Sequence, residues 1–488
     1  MAELVLGITG LAPVVIKTAR EIHDLLERYR ERNERFASMQ LQVDVHLIDI
    51  EQVASFVEVQ IDRPEVDAFV RRTFKSLLLQ VIGLFERFQT KVSAQVDSQK
   101  NLKSIQFAFT GHNALKKLDG EIRDWRGRVG NAILSFMLVQ GSAAIKVLLK
   151  EPSGVLHDLA DIMQRALQNS DQDSKLLLEH SNRAQSDGCA VRYSRIRYHE
   201  GDRPLITEKR QHVTQVQVIR DIAAFLRAAN PQYVALLKCQ GFFDQTLQYE
   251  APKGLGEPRT LREVLLHEMR DPKHSLNERL HIMKRLASTV LFVHLAGHVH
   301  KNIRADTVLL FRDPAKPELV LGEPYLVGFE STRKDGAGSQ RLPVKQLEKY
   351  YYLPPDRQDE TTRDFSMLDD IYTLGVVFLE LALCFSFVVP QEPPAAPWRP
   401  QTILLQDKKD LEKTLRSTDL RDRLIRRATA MVPRQMGDTV AGLIVACLSC
   451  LHDAEAFGEV SQFTDQDGIL VGSMFARQVL HVLDEVKF

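Results

Sequence analysis

The hydrophobic period of this chain changes once, near residue 189, and that change limits the fold more than any single motif. Before it, apolar residues recur every three or four positions. Ile22, Leu25, Leu26 and Tyr29 make one stripe, and Leu41, Val43, Leu47, Ile48 and Val53 a second. A third runs through Val66, Phe69, Val70, Phe74, Leu77, Leu78, Val81, Phe85 and Phe88, and a fourth through Leu118, Ile122, Trp125, Val129, Ile133 and Phe136. That spacing is the helical one. Amphipathic helices too weak to stand alone bury their stripes against each other, so residues 1–140 are expected to form a four-helix bundle.

Residues 141–187 keep a helical pattern but turn polar, with Asn, Ser, Asp and Gln crowded into 168–175 and a turn signal at Asp187-Gly188. A helical brace or linker is expected there. From residue 189 the pattern alternates. Ala190 to Tyr198 reads as one strand and Pro204 to Lys209 as the next, joined across Gly201-Asp202. Val213 to Ala228 reads as a helix, and 233–243 and 247–250 as further strands. After Gly254-Leu255-Gly256 the pattern is mainly helical to the end, interrupted by the Pro-rich stretch 390–400. Strands with one helix, followed by helices, make a two-lobed α+β domain over 188–488. The expected fold class is multidomain, α then α+β.

Charge and cysteine content narrow the function. Lys+Arg and Asp+Glu both count 64, so no global basic field points to nucleic acid as a partner. Five scattered cysteines do not make a disulfide framework and favour a reducing compartment. Cys447 and Cys450 form a CxxC within an apolar helical run, which reads as buried helix cysteines. His294, His298 and His300 lack accompanying Cys or carboxylate ligands, so no metal site is expected.

The start, Met1-Ala2-Glu3, is acidic where a secretory signal is positive. The uncharged run Leu4 to Ile16 falls short of the roughly 20 residues that span a bilayer. Continued through Lys17 to Leu26, it makes an amphipathic helix that either packs in the core or lies in a membrane, with Leu4, Leu6, Ile8, Leu11, Val14 and Ile16 as its apolar contacts.

The stretch Ala296 to Leu310, A-G-H-V-H-K-N-I-R-A-D-T-V-L-L, follows an amphipathic helix and precedes the short apolar run Leu326 to Glu330. In this order the chain resembles the catalytic half of a protein kinase. On that resemblance His300-Lys301-Asn302 matches the H-R-D of the catalytic loop and Thr307 the metal-binding Asn. Gly328-Phe329-Glu330 matches the D-F-G turn. Asn302 thus stands where the catalytic aspartate would be, and Thr307 and Gly328 where two metal ligands would be. Phe329 keeps a packing role. Asp370 and Pro355-Asp356 match scaffold positions around the activation segment. Lys209 matches the phosphate-gripping lysine and Asp221 its helix partner, but no G-x-G-x-x-G precedes the strands. The resemblance implies a pseudokinase with no catalytic residue and no cofactor, save for metal-independent nucleotide binding through Lys209 and Asp221.

The order of helices, brace and kinase-like domain is similar to the fungal mixed-lineage-kinase-domain-like family, whose front domain is a HeLo-like (HELL) bundle. The phrases Tyr352-Leu353-Pro354-Pro355-Asp356-Arg357-Gln358, Asp370 to Gly375 and Asp467 to Gly472 carry the likeness. The resemblance implies a pseudokinase-regulated effector of membrane-disrupting, necroptosis-like cell death. Its implied partners are membrane lipids on activation, further copies of itself and an upstream signalling protein. Its implied location is the cytoplasm, with the plasma membrane on activation. A non-catalytic scaffold or adaptor is the second reading, and an active kinase with relocated residues the third.

Overall fold

The computed structural model describes residues 8–30, 34–93, 104–168, 176–184, 188–210, 215–268, 274–315, 319–334, 351–357, 365–389, 399–400, 419–451, 472 and 474–487. The chain forms two compact units that divide between Asp161 and Ile162.

The first unit is helical. Helices α1 (Ile8–Arg30), α2 (Glu34–Phe56), α3 (Ala68–Ser93) and α4 (Ser104–Leu148) each pack on two others: α1 on α2 and α3, α4 on α2 and α3. A π-helical turn, Val57–Ile61, ends α2, and Asp67 Oδ1 caps α3 by accepting from Phe69 N at 2.8 Å and Val70 N at 3.2 Å. The four sequence stripes supply the core. Phe56 meets Phe136 edge-on at 5.8 Å and Phe74 at 6.3 Å, while Trp125 Nε1 donates to Leu77 O at 2.8 Å.

Two members of the second stripe do not join that core. Val43, Leu47 and Val53 are buried, but Leu41 is 63% and Ile48 57% exposed. They lie with exposed Val45 on the opposite face of α2, because a helix contacting its neighbours along one line cannot bury a full turn of apolar residues.

In α1, Leu11, Ala12, Val15, Ala19, Ile22 and Leu26 are buried, Ile16 is half-buried and Val14 is exposed. Leu4 and Leu6 lie outside the described residues, and so does the side chain of Ile8. α1 is a core helix of its unit along most of its length. By length and composition Asn113–Leu148 is apolar enough to cross a bilayer, but half of its most apolar window is buried, as in the core helix of a folded domain.

Residues 141–187 do not form a unit of their own. α4 runs on past a break at Gly141 (φ 57°, ψ −140°) to Leu148, and α5 (Val155–Leu167) spans the division between the units. The later part of the segment joins the second unit's sheet. Leu178 N donates to Phe242 O at 2.8 Å, and the approach is so close that a Cβ on Gly241 would lie 2.3 Å from Leu176 O.

The second unit mixes sheet and helix. Strands β1 (Cys189–Ala190), β2 (Ile196–His199), β3 (Leu205–Lys209), β4 (Cys239–Phe243) and β5 (Thr246–Glu250) form an antiparallel sheet in the order β1-β2-β3-β5-β4, with α6 (Val216–Ala228) packed on β4. Next come β6 (Pro258–Thr260), α7 (Leu261–His267), α8 (Leu276–Leu295) and β7 (His298–Val299). β6 pairs with β8 (Val308–Phe311), which pairs with β9 (Glu323–Leu326), and β7 pairs with β10 (Arg333–Lys334). Ser275 and Glu278 close a capping box that starts α8. Helix α9 (Met367–Leu383) is buried nearly all round. It packs on α8 and on α10 (Asp419–Ser449), whose helix is broken at Gly437. β11 (Val388–Val389) pairs with β12 (Arg399–Pro400), and a π-helical turn, Ala476–His481, leads into α11 (Val482–Glu485). Cys447 and Cys450 are buried free cysteines near the end of α10, and burial pushes the Cys447 thiol up to about 12.

Candidate functional site

The loop between β7 and β8 is fixed from below by Asp370. A capping box of Ser366 and Asp369 starts α9 and brings Asp370 fully buried beneath the loop. Its carboxylate accepts from His300 N at 2.7 Å and Lys301 N at 2.9 Å, and His294 Nε2 faces it at 3.1 Å. Lys301, held between these bonds, takes a left-handed conformation (φ 66°), which costs a non-glycine residue of order 1 kcal/mol unless its surroundings enforce it. Asp356 lies in the 3-10 turn Pro355–Arg357, and Arg357 Nε stands 3.4 Å from Asp369 Oδ1.

Asn302, Thr307 and Gly328 meet and fill the space they enclose. Asn302 Nδ2 donates to Gly328 O at 3.1 Å. Thr307 Oγ1 donates to Asn302 O at 2.8 Å or Arg304 O at 3.0 Å, and accepts from Arg304 N at 2.9 Å. Gly328 sits at φ 90°, ψ 33°, where side chains are strained. A Cβ there would lie 2.6 Å from Thr307 Cγ2 and 2.9 Å from Asn302 Nδ2. The threonine methyl occupies the room a side chain at 328 would need.

Phe329, on the 3-10 turn Phe329–Ser331, caps an aromatic stack. His300 meets it edge-on at 4.6 Å, and Phe225 of α6 lies 6.3 Å away. Phe225 in turn stacks on His298 at 4.8 Å and Phe292 at 5.8 Å. Burial pushes the His300 imidazole down to about 4, so it packs as a neutral ring.

Strand alternation decides which side chain of β3 faces this loop. Ile206 and Glu208 share one face, and Lys209 takes the other and is exposed. Glu208 is therefore the charged residue buried on this strand, and Lys209 beside it lines the same cavity from its exposed side. Its Oε2 accepts from Tyr249 OH at 2.9 Å and from Gly328 N at 3.3 Å. Burial, reinforced by nearby Glu330, pushes this carboxyl up to about 7, against the lowering effect of Tyr249, Gly328 N and Arg210. The other expected partner, Asp221, accepts from Gln217 Nε2 at 3.0 Å, and no Lys209–Asp221 ion pair occurs among the described residues. The structure does not bring these two residues together as a phosphate grip.

A cavity of about 250 Å³ opens over Glu208, Asn302, Thr307 and Gly328. Its other charged walls are largely paired. Arg195 Nη1 lies 3.4 Å from Glu330 Oε2, and Asp306 lies between Arg262 Nη2 at 3.0 Å and Arg304 Nη2 at 3.1 Å. Arg210 Nη1 donates to Phe329 O at 2.9 Å. Behind Arg262, Tyr352 OH lies 2.9 Å from Glu380 Oε1, which also accepts from Phe387 N at 2.8 Å. Among the described residues no three His, Cys, Asp or Glu side chains converge as a metal site. Glu208, Arg195, Arg262 and Glu380 were not singled out from sequence. For Glu208 the signal was present: in L-I-T-E-K the glutamate shares its face with Ile206.

No family model matches the chain. A serine/threonine-protein kinase-like protein of Arabidopsis thaliana is 29% identical over 136 residues, 27% of this chain and 36% of that protein. The chain thus spans little more than a third of the length of the relative it matches. What that similarity supports is a kinase-like fold.

Proposed function

We propose that the second unit is a kinase-like domain that binds and signals without transferring phosphate, and that the N-terminal helices are the part it regulates. The observation that carries this is the interlock of Asn302, Thr307 and Gly328. Phosphoryl transfer needs a carboxylate to receive the acceptor proton and oxygen ligands to hold magnesium. Here an amide and a hydroxyl are committed to backbone carbonyls, and the third position has no side chain. A buried carboxylate at Glu208 would further repel a nucleotide's phosphates. The test is incubation of the full chain with radiolabelled ATP and magnesium or manganese. No label on the chain or on a generic substrate is expected, and label lost in Lys209→Met would revive the active-kinase reading.

In its finer form the reading is of a pseudokinase-regulated effector that disrupts membranes in programmed cell death, with lipids and further copies of the chain as partners. The exposed stripe Leu41, Val45 and Ile48 on α2 supports it. The chain would rest in the cytoplasm and move to the plasma membrane when an upstream protein releases the helices. Liposome leakage by the full chain and by residues 1–161 tests it. Absence of leakage and of toxicity on expression leaves the second reading, a scaffold or adaptor, which the burial of α1 favours.

A further inference from the structure

Glu208 keeps one oxygen unused. Its Oε2 takes both available hydrogen bonds, from Tyr249 OH and Gly328 N, while Oε1 is buried and has no hydrogen-bond partner. The residue is 2% exposed and lines the cavity. An unsatisfied buried acceptor costs about 1–3 kcal/mol, and more when it is charged. Neighbouring cations do not answer it. Arg195 is engaged by Glu330, Arg262 and Arg304 by Asp306, and Arg210 by Phe329 O. Lys209 also lines the cavity, but it is exposed and no ion pair joins it to Glu208 among the described residues.

We propose that this cavity binds a small organic cation, an amine, amidine or guanidine, whose N–H groups are received by Glu208 Oε1. The proposal builds on the non-catalytic reading and names the ligand class of that same cleft. Charge selects a cation, since among the described residues Glu208 Oε1 is the buried acceptor of the cavity wall with neither a hydrogen bond nor an ion pair, whereas Asp306 is ion-paired to Arg262 and Arg304. Size selects a small one: about 250 Å³ lies below the roughly 300–1,000 Å³ of pockets for drug-sized ligands, and a nucleoside triphosphate exceeds it. Ile196, Val327 and Val388 add apolar wall that suits a flat ring or short alkyl stem. A charge-assisted hydrogen bond is worth more than a neutral one.

The experiment uses the full chain and benzamidine, with ATP plus magnesium as the contrast, read by scanning calorimetry and by isothermal titration. Benzamidine is expected to raise the second unit's transition in a concentration-dependent way, and ATP to leave it unchanged. Glu208→Gln is expected to weaken benzamidine binding tenfold or more. Should that variant not fold, the wild-type pH profile decides. Tyr249, Arg210, Glu330 and Lys209 are the titratable or charged groups around Glu208. The Glu208 carboxyl, displaced by burial toward neutrality, changes charge near pH 7. Benzamidine should therefore bind at least tenfold more tightly at pH 8 than at pH 5.5. No benzamidine shift, a shift that survives Glu208→Gln, or pH-independent binding overturns the proposal. ATP binding without transfer, together with no benzamidine binding, overturns it alone, whereas phosphate transfer from ATP overturns the non-catalytic reading as well.

Discussion

Replacing Gly328 by alanine should destabilise the second unit far more than one methyl group would suggest. Two terms add. The left-handed conformation (φ 90°, ψ 33°) costs a residue with a Cβ about 1–2 kcal/mol. The new Cβ would then sit 2.6 Å from Thr307 Cγ2 and 2.9 Å from Asn302 Nδ2, an overpacking worth about 1–3 kcal/mol. The sum is about 2–5 kcal/mol, or a drop on the order of 5–15 °C in the unit's calorimetric transition. The second term has its own control. Thr307→Ser removes the offending methyl while keeping the hydroxyl that bonds Asn302 O and Arg304 O, and alone should cost about 1 kcal/mol. In the double variant the 2.6 Å contact is relieved, while the 2.9 Å approaches to Cβ of residue 307 and to Asn302 Nδ2 and the backbone strain remain. The two changes should then couple favourably by about 1–2 kcal/mol in a double-mutant cycle. Additivity within about 0.5 kcal/mol would refute the interlock and leave only a backbone effect.

Asp370→Ala strips the buried acceptor from His300 N and Lys301 N and should cost about 2–5 kcal/mol, with the loop around 300 becoming the first site of limited proteolysis. In the first unit, burial and Arg126 push His46 down to about 4, against the raising effect of Asp119, with Arg123 also facing it. The unfolded chain binds that proton near pH 6.5, so the stability contribution is full above pH 6.5 and is lost as pH falls toward 4. Stability from urea unfolding at pH 5 and 7 should differ by up to roughly 2 kcal/mol, and His46→Asn should flatten the difference. Ile48→Lys, on the exposed face of α2, should change calorimetric stability by less than about 0.5 kcal/mol, whereas Val43→Lys should unfold the unit. A large loss from Ile48→Lys would mean that face is covered.

The helices of the first unit were legible because each stripe from Val66 to Phe88 or from Leu118 to Phe136 has one buried partner face. α2 was read less well. Leu41 and Ile48 are as apolar as Val43 and Leu47, and periodicity alone does not tell which side of a two-sided helix meets its neighbours. In the second unit β3, β5 and α6 could be read, as could the loop around Asn302, but the stretch Ala190 to Tyr198 holds two strands rather than one, and the mainly helical reading after Gly256 missed the two- to four-residue strands β6 to β12, too short for alternation to show. On β3 the buried carboxylate was missed. Lys209 drew the reading because it suited a phosphate grip, while a one-residue step along the strand turns the neighbouring Glu208 to the buried face. The fit of Gly328 against Thr307 joins positions 21 residues apart so closely that a Cβ on 328 would lie 2.6 Å from the threonine methyl, a closeness no pattern of residue types encodes.

That fit also restricts how this sequence can change over generations. An aspartate arriving at 328 in one step meets the Thr307 methyl and the Asn302 amide in a backbone region that disfavours it. Trimming Thr307 first leaves a gap beneath a glycine that cannot fill it. Every single-substitution route toward a side chain at 328 therefore passes through a less stable protein. The three positions behave as one inherited unit: a lineage that carries this trio is held to it by folding, independently of what the cleft is used for.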